Sequence, residues 1–182
     1  MDDLSSLSLA DIARLAEAHK LPPVDKWNPA HCGDSAMRIA RDGTWYHEGS
    51  PIGRPEMVRL FSTILRREDD GSFVLVTPVE KLGIAVEDAP FVAVELRSEG
   101  EGEGEARTLA FRLNTGDVVI AGPEHRLRFE AGPHPYLEVR PGLDALLARP
   151  VYYELADLAL SEGAEPAVLW SDGVAFALEP GA

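Results

Sequence analysis

A proline-led amphipathic helix with a β pair on each side occurs twice in this chain, and that repetition limits the folds open to it. Gly53 to Leu65 reads GRPEMVRLFSTIL and Ala148 to Leu160 reads ARPVYYELADLAL. Superposed, they align Arg-Pro with Arg-Pro, Leu60 with Leu155 and Leu65 with Leu160. Met57, Leu60, Phe61, Ile64 and Leu65 recur at the spacing of one helical face. Tyr152, Ala156 and Ala159 match Met57, Phe61 and Ile64 in the second copy. Pro55 suits a first helical position, where a missing N–H forfeits no hydrogen bond. The order around each helix is β-β-α-β-β, which predicts an α+β protein of two similar repeats packed at a pseudo-twofold seam. Independent hairpin-helix patterning is the competing account. The expected division is 1–90, an α+β domain with a leading helix, and 91–182, a second α+β domain enlarged by antiparallel strands from Phe91 to Ala121.

The remaining elements follow from turn and period signals. Ser8 to Asp11 reads as a capping box for a helix ending near Lys20, stopped by Pro22-Pro23. Val24 to Asp34 has no period and reads as a loop. Met37 to Glu48 reads as a hairpin turning at Asp42-Gly43. Strands are expected at Phe73–Thr77, Leu82–Val86, Phe91–Leu96, Thr108–Leu113, Asp117–Ala121, Leu127–Glu130 and Tyr136–Arg140. Ser98 to Glu105 alternates Gly and Glu, a solvated hairpin tip. Leu143 opens a helical stretch to about Leu160, bent at Arg149-Pro150. Ala167 to Leu178 closes the chain as a hairpin turning at Asp172-Gly173.

Charge and composition exclude whole classes of function. The formal net charge is −14, from 31 acidic and 17 basic side chains among 182 residues. Such a surface repels nucleic-acid polymers and anionic membranes, while a local arginine cluster can still hold a small anion within a Debye length of about 8 Å. No apolar run approaches a membrane span, and the acidic N-terminus lacks a secretory pattern. Cys32 is the single cysteine, so no internal disulfide framework exists. A soluble cytoplasmic protein is expected. His31, Cys32 and His47 match no metal-site spacing, and nucleophile-elbow, Walker, Rossmann and zinc-protease signatures are missing. No catalytic residue, metal or cofactor is assigned.

The run WNPAHCGDSAMRIARDGTWYHEGSPIGRPEMVRLFSTILRREDDG, with TPVEKLGIAVEDAPF and ALLARPVYYEL after it, resembles the bacterial family known as domain of unknown function 1285. That resemblance spans nearly the whole chain. It implies a duplicated α+β core whose C-terminal half forms a partly open, pleckstrin-homology-like barrel. It also implies a nucleotide-like ligand near the domain interface and a role in signal transduction, with a signalling protein as further partner.

The candidate ligand-binding residues come from residue chemistry. Arg54 and Arg149 stand at helix starts, where free backbone N–H groups favour anions; a surface ion pair is the alternative for Arg54. Thr77 and Lys81 offer a hydroxyl and a point charge on a tight connection, against a plain Glu80–Lys81 ion pair. Trp27 and Asn28, with Trp45 and His47 on the adjacent hairpin, would wall a pocket for a stacked base, although Trp45 also reads as core. Arg112, Asn114 and Arg140 would meet these across the seam. The expected function is a regulatory protein holding a nucleotide-like or phosphate-bearing small molecule between its repeats. The alternatives are an enzyme acting on that ligand, with Glu80 or His47 as base, and a protein–protein adaptor.

Overall fold

The computed structural model describes residues 21–100, 107–129, 134–162 and 167–178. The expected helix from Ser8 to Lys20 and residues 101–106 of the acidic loop lie outside them. A 3-10 turn, Val24–Lys26, leads into β1 (His31–Ile39). Then come β2 (Trp45–His47), β3 (Ser50–Pro51), helix α1 (Pro55–Thr63), β4 (Leu65–Arg67), β5 (Phe73–Val76) and β6 (Glu80–Val86). These strands form one six-stranded sheet in the order β3-β2-β1-β6-β5-β4. First and last strands, β1 and β6, pair in parallel at its centre, and antiparallel meanders run outward from both.

The second half repeats this connectivity. Its strands are β7 (Phe91–Glu99), β8 (Thr108–Leu113), β9 (Val118–Ile120), β10 (Leu127–Phe129), β11 (Pro135–Arg140) and β12 (Leu143–Leu147). Read from β9 they order as β9-β8-β7-β12-β11-β10, again with the first and last strands parallel at the centre. Helix α2 (Arg149–Glu162) and a hairpin, β13 (Val168–Ser171) with β14 (Val174–Ala177), follow. The protein is therefore α+β with two similar sheets, and β-β-α-β-β surrounds each helix, as β2-β3-α1-β4-β5 and β11-β12-α2-β13-β14.

The larger repeat lies in the sheets, and the helices occupy different places in it. Helix α1 joins the third strand to the fourth, whereas α2 follows the sixth. The aligned leucines accordingly meet opposite environments: Leu60 is 63% exposed while Leu155 is fully buried, and Leu65 is buried in β4 while Leu160 is 74% exposed. Met57 is exposed as well, so α1 turns Val58, Phe61 and Ser62 inward instead of the whole expected stripe. The helix expected from Leu143 starts at Arg149. Leu143, Ala145 and Leu147 are buried in alternation, a period of two that belongs to a strand covered on one face. The expected loop up to Asp34 is shorter, because His31 to Asp34 pair with Glu80 to Gly83 of β6.

The second sheet curls into a half-barrel. Strand β13 touches β8 and β14 touches β10, although those two strands stand well apart in the sheet order. The buried Ser171 hydroxyl closes this join by accepting from Leu109 N at 2.9 Å and donating to Ala121 O at 2.6 Å. One apolar cluster runs through both halves, from Ile39, Trp45 and Leu65 to Phe91, Phe111, Leu137 and Leu155. The seam is thus apolar at its centre, and polar groups collect at its rim.

Candidate functional site

Two sequence-picked residues act as bolts across the rim. Asn114 accepts from Val92 N at 3.0 Å and donates to Gly43 O at 3.1 Å, using its amide on both halves. Gly43 is in the left-handed region (φ +84°), and a Cβ there would lie 2.6 Å from the Asn114 amide nitrogen. Arg140 donates to Ser62 O at 2.6 Å and Thr63 O at 3.4 Å, the last carbonyls of α1, where the helix dipole is negative. Its guanidinium lies 5.5 Å from the Phe91 ring centroid, and burial holds its pKa below the ordinary arginine value.

The other candidates separate into committed and exposed groups. Arg112 pairs with Glu95 at 2.8 Å within the second sheet. Thr77 Oγ1 accepts from Glu80 N at 3.2 Å and shapes its own turn. Trp45 is core, stacked on Phe61 with centroids 6.4 Å apart. His47 is exposed on β2, opposite Met37 and Ser50. Arg54 is the exposed N-cap of α1, and Arg149 the exposed first residue of α2. These residues do not gather into one cationic pocket.

Trp27 and Asn28 share one recess, and Lys81 is linked to it through Glu68 and Arg66. Lys81 pairs with Glu68 at 2.9 Å, and Glu68 also holds Arg66 at 2.6 Å. Arg66 in turn donates to the carbonyls of Val24 and Trp27, each at 2.8 Å, which pins the segment carrying Trp27 onto β4. The hydrogen bond from Lys81, and then that from Arg66, hold the Glu68 carboxyl below its ordinary range, while Glu68 raises Lys81. Beside this network lies a recess of about 380 Å³ lined by Asp25, Trp27, Asn28, Arg66, Arg67, Glu68 and Asp69.

A second recess, of about 320 Å³, opens where the halves meet. Arg67, Phe73, Asp88, Arg128, Tyr136, Gly142 and Asp144 line it. Tyr136 donates to Asp88 at 2.8 Å, Arg41 pairs with the same carboxylate at 3.1 Å, and Arg128 pairs with Asp144 at 2.5 Å. Arg67 belongs to both recesses. It is exposed, its guanidinium 5.5 Å from the Phe73 ring centroid, with no hydrogen bond or ion pair among the described residues. Sequence reasoning passed over Arg67, Arg128, Tyr136, Asp88 and Asp144. The only signal was the Arg66-Arg67 pair, in a charged run that reads as an element end. Among the described residues no group of three or more His, Cys, Asp or Glu is placed to hold a metal ion, and no helix is long and apolar enough to cross a membrane.

Comparison with known proteins agrees with this architecture. Residues 22–89 match the domain of unknown function (DUF1285), N-terminal domain, and residues 90–178 match the protein of unknown function (DUF1285), C-terminal domain. No curated protein matches the chain. A crystal structure of a DUF1285 family protein from Silicibacter pomeroyi DSS-3 is 47% identical, covering 93% of this chain and 94% of its own, with a TM-score of 0.79. Another, from Shewanella baltica OS155, is 25% identical over 68% of this chain and 91% of its own, with a TM-score of 0.55. Matched over both halves and by a near relative of almost equal extent, the chain belongs to the DUF1285 family.

Proposed function

We propose that the protein is a cytoplasmic, non-catalytic regulator that holds a nucleotide-like small molecule beside the seam of its two halves. One observation carries this reading: Arg67, unpaired among the described residues, is shared by a recess containing Trp27 and Asn28 and by the recess between the sheets. Trp27 supplies a stacking face, Asn28 paired donor and acceptor atoms, and Arg67 a fork that fits a phosphate oxygen pair. A guest lying across Arg67 touches both halves, so its presence is felt at the seam, as a regulatory role requires.

A thermal-shift and calorimetric screen of nucleosides and nucleotides tests the reading. A guest at 100 times its Kd stabilises the fold by about 2.7 kcal/mol, a shift easily measured. Arg67→Gln is expected to abolish that shift while lowering the free protein's stability by no more than about 1 kcal/mol, because Arg67 loses its contact with the Phe73 ring but no ion pair among the described residues. Absence of any stabilisation at millimolar concentration sinks the reading.

A further inference from the structure

We infer that the guest is a guanine-type nucleotide carrying a single negative charge, a phosphodiester in place of a polyphosphate; this deepens the binding reading above and rests on it. Most of the cations around the two recesses are already paired. Lys81 and Arg66 are held by Glu68, Arg128 by Asp144 and Arg41 by Asp88. Around the two recesses that leaves Arg67 as the cation with no ion pair among the described residues. On the Trp27 side, Asp25 and Asp69 are exposed carboxylates that likewise have no hydrogen bond or ion pair among the described residues.

Each half of that inventory selects one part of the ligand. One guanidinium balances one anionic charge, and a triphosphate would bring several further charges into recesses lined by Asp25 and Asp69 on one side and Asp88 on the other, in a protein of net charge −14. Asp25 and Asp69 line the same recess as Trp27, so a base stacked on Trp27 has those carboxylates as candidate partners for its hydrogen-bonding edge. An ionised carboxylate only accepts, through two oxygens side by side. The guanine edge offers two adjacent donors, N1–H and the N2 amino group, and satisfies both. Adenine offers one donor next to a ring-nitrogen acceptor, which faces a carboxylate oxygen lone pair to lone pair. Asn28 can donate to guanine O6 or N7 with its amide N–H. The stacking platform alone tolerates any base, so selectivity comes from the edge.

Calorimetric titration of the full chain with guanosine 3′,5′-cyclic monophosphate, its inosine and adenosine counterparts, and guanosine triphosphate decides the matter. The guanosine cyclic ester is expected to bind tightest. The adenosine ester should be weaker by roughly tenfold or more, as when a carboxylate loses its donors, and the inosine ester should fall between them. The triphosphate should also be roughly tenfold weaker at low salt, the gap closing as salt screens it. Asp25→Asn together with Asp69→Asn should erase the preference for guanine and spare stacking. Equal or tighter binding of the adenosine ester, or of the triphosphate, overturns this inference and leaves the binding reading standing. No binding by any of the four, with no stabilisation in the wider nucleotide screen, removes both.

Discussion

The two sheets share one order of connection yet close themselves differently. In the first, α1 bridges the third and fourth strands, and the exposed two-residue strand β3 ends one side. In the second, a short loop takes the place of that helix, and the sheet curls around the β13–β14 hairpin while α2 packs on β7. Burial follows the difference. Strands β11 and β12 alternate buried and half-buried residues along their length, whereas the first four residues of β1 are exposed. Helix α1 leaves Met57 and Leu60 in solvent and has its last carbonyls satisfied by Arg140 from the other half. Connectivity is the shared property. Closure depends on which apolar faces each half must cover, and the first half borrows part of its cover from the second.

The largest test of this asymmetry compares matched truncations. Phe111→Ala, at a fully buried site in the second sheet, should cost about 3–5 kcal/mol in chemical denaturation. Phe61→Ala, at a half-buried ring stacked on Trp45, should cost about 2 kcal/mol, since part of its area is never removed from water. Equal losses would break the comparison.

Next in size is the seam itself. Arg140→Met keeps the packing on Phe91 but leaves the Ser62 and Thr63 carbonyls without their charged donor, an expected loss of about 1.5–3 kcal/mol. A loss under half a kilocalorie would mean that α1 does not depend on the second half for its end. Gly43→Ala forces a side chain into a left-handed backbone and against Asn114, and should cost about 1–3 kcal/mol. Because the clash is with Asn114, a double-mutant cycle with Asn114→Ala should show coupling of at least about 0.5 kcal/mol. Strict additivity would place the strain in the backbone and against Val92 Cγ2, 3.0 Å from the added Cβ, instead of against Asn114.

The smallest effect is electrostatic and confined to the first half. Glu68 titrates lower in the folded protein than in the unfolded chain, chiefly through its hydrogen bond from Lys81. The stability it contributes is therefore present above the ordinary glutamate range and disappears as pH falls through its lowered folded value. Both partners are about a fifth exposed, so the slope should be shallow. Glu68→Gln should flatten the acid side of a stability–pH curve; an unchanged slope would show that the network does not report on folding.

Some of this was readable residue by residue. The Asp42-Gly43 and Asp172-Gly173 turns, the Pro55 helix start and strands β5 to β8 follow from local conformational limits that neighbours do not change. The grouping of Trp27 and Asn28 with Trp45 and His47 did not follow in the same way: Trp45 is core, His47 stands exposed on β2, and Trp27 and Asn28 lie beside Arg66 and Arg67. Leu143 to Leu147 defeated the same reasoning, because a short apolar run fits strand and helix alike until its partner strand is known. Leu60 did so too, since a helical stripe names a face without saying how wide the covering surface is. Arg66 and Arg67 are chemically identical and adjacent, and nothing local tells which one is bound by Glu68 and two carbonyls and which lies over Phe73 with no ion pair among the described residues.

By itself the amino-acid sequence determined the α+β class, the β-β-α-β-β order around each helix, the turns and the excess of negative charge, because each depends on backbone limits, residue spacing or simple charge counting. Only the tertiary structure decided that the repeat lies in the sheets, that Asn114 and Arg140 are bolts, and that Arg67, between the two recesses, makes no ion pair among the described residues. Those outcomes turn on which side chains find partners far along the chain, and a carboxylate or carbonyl a few ångströms away commits a group that its neighbours in sequence leave undecided.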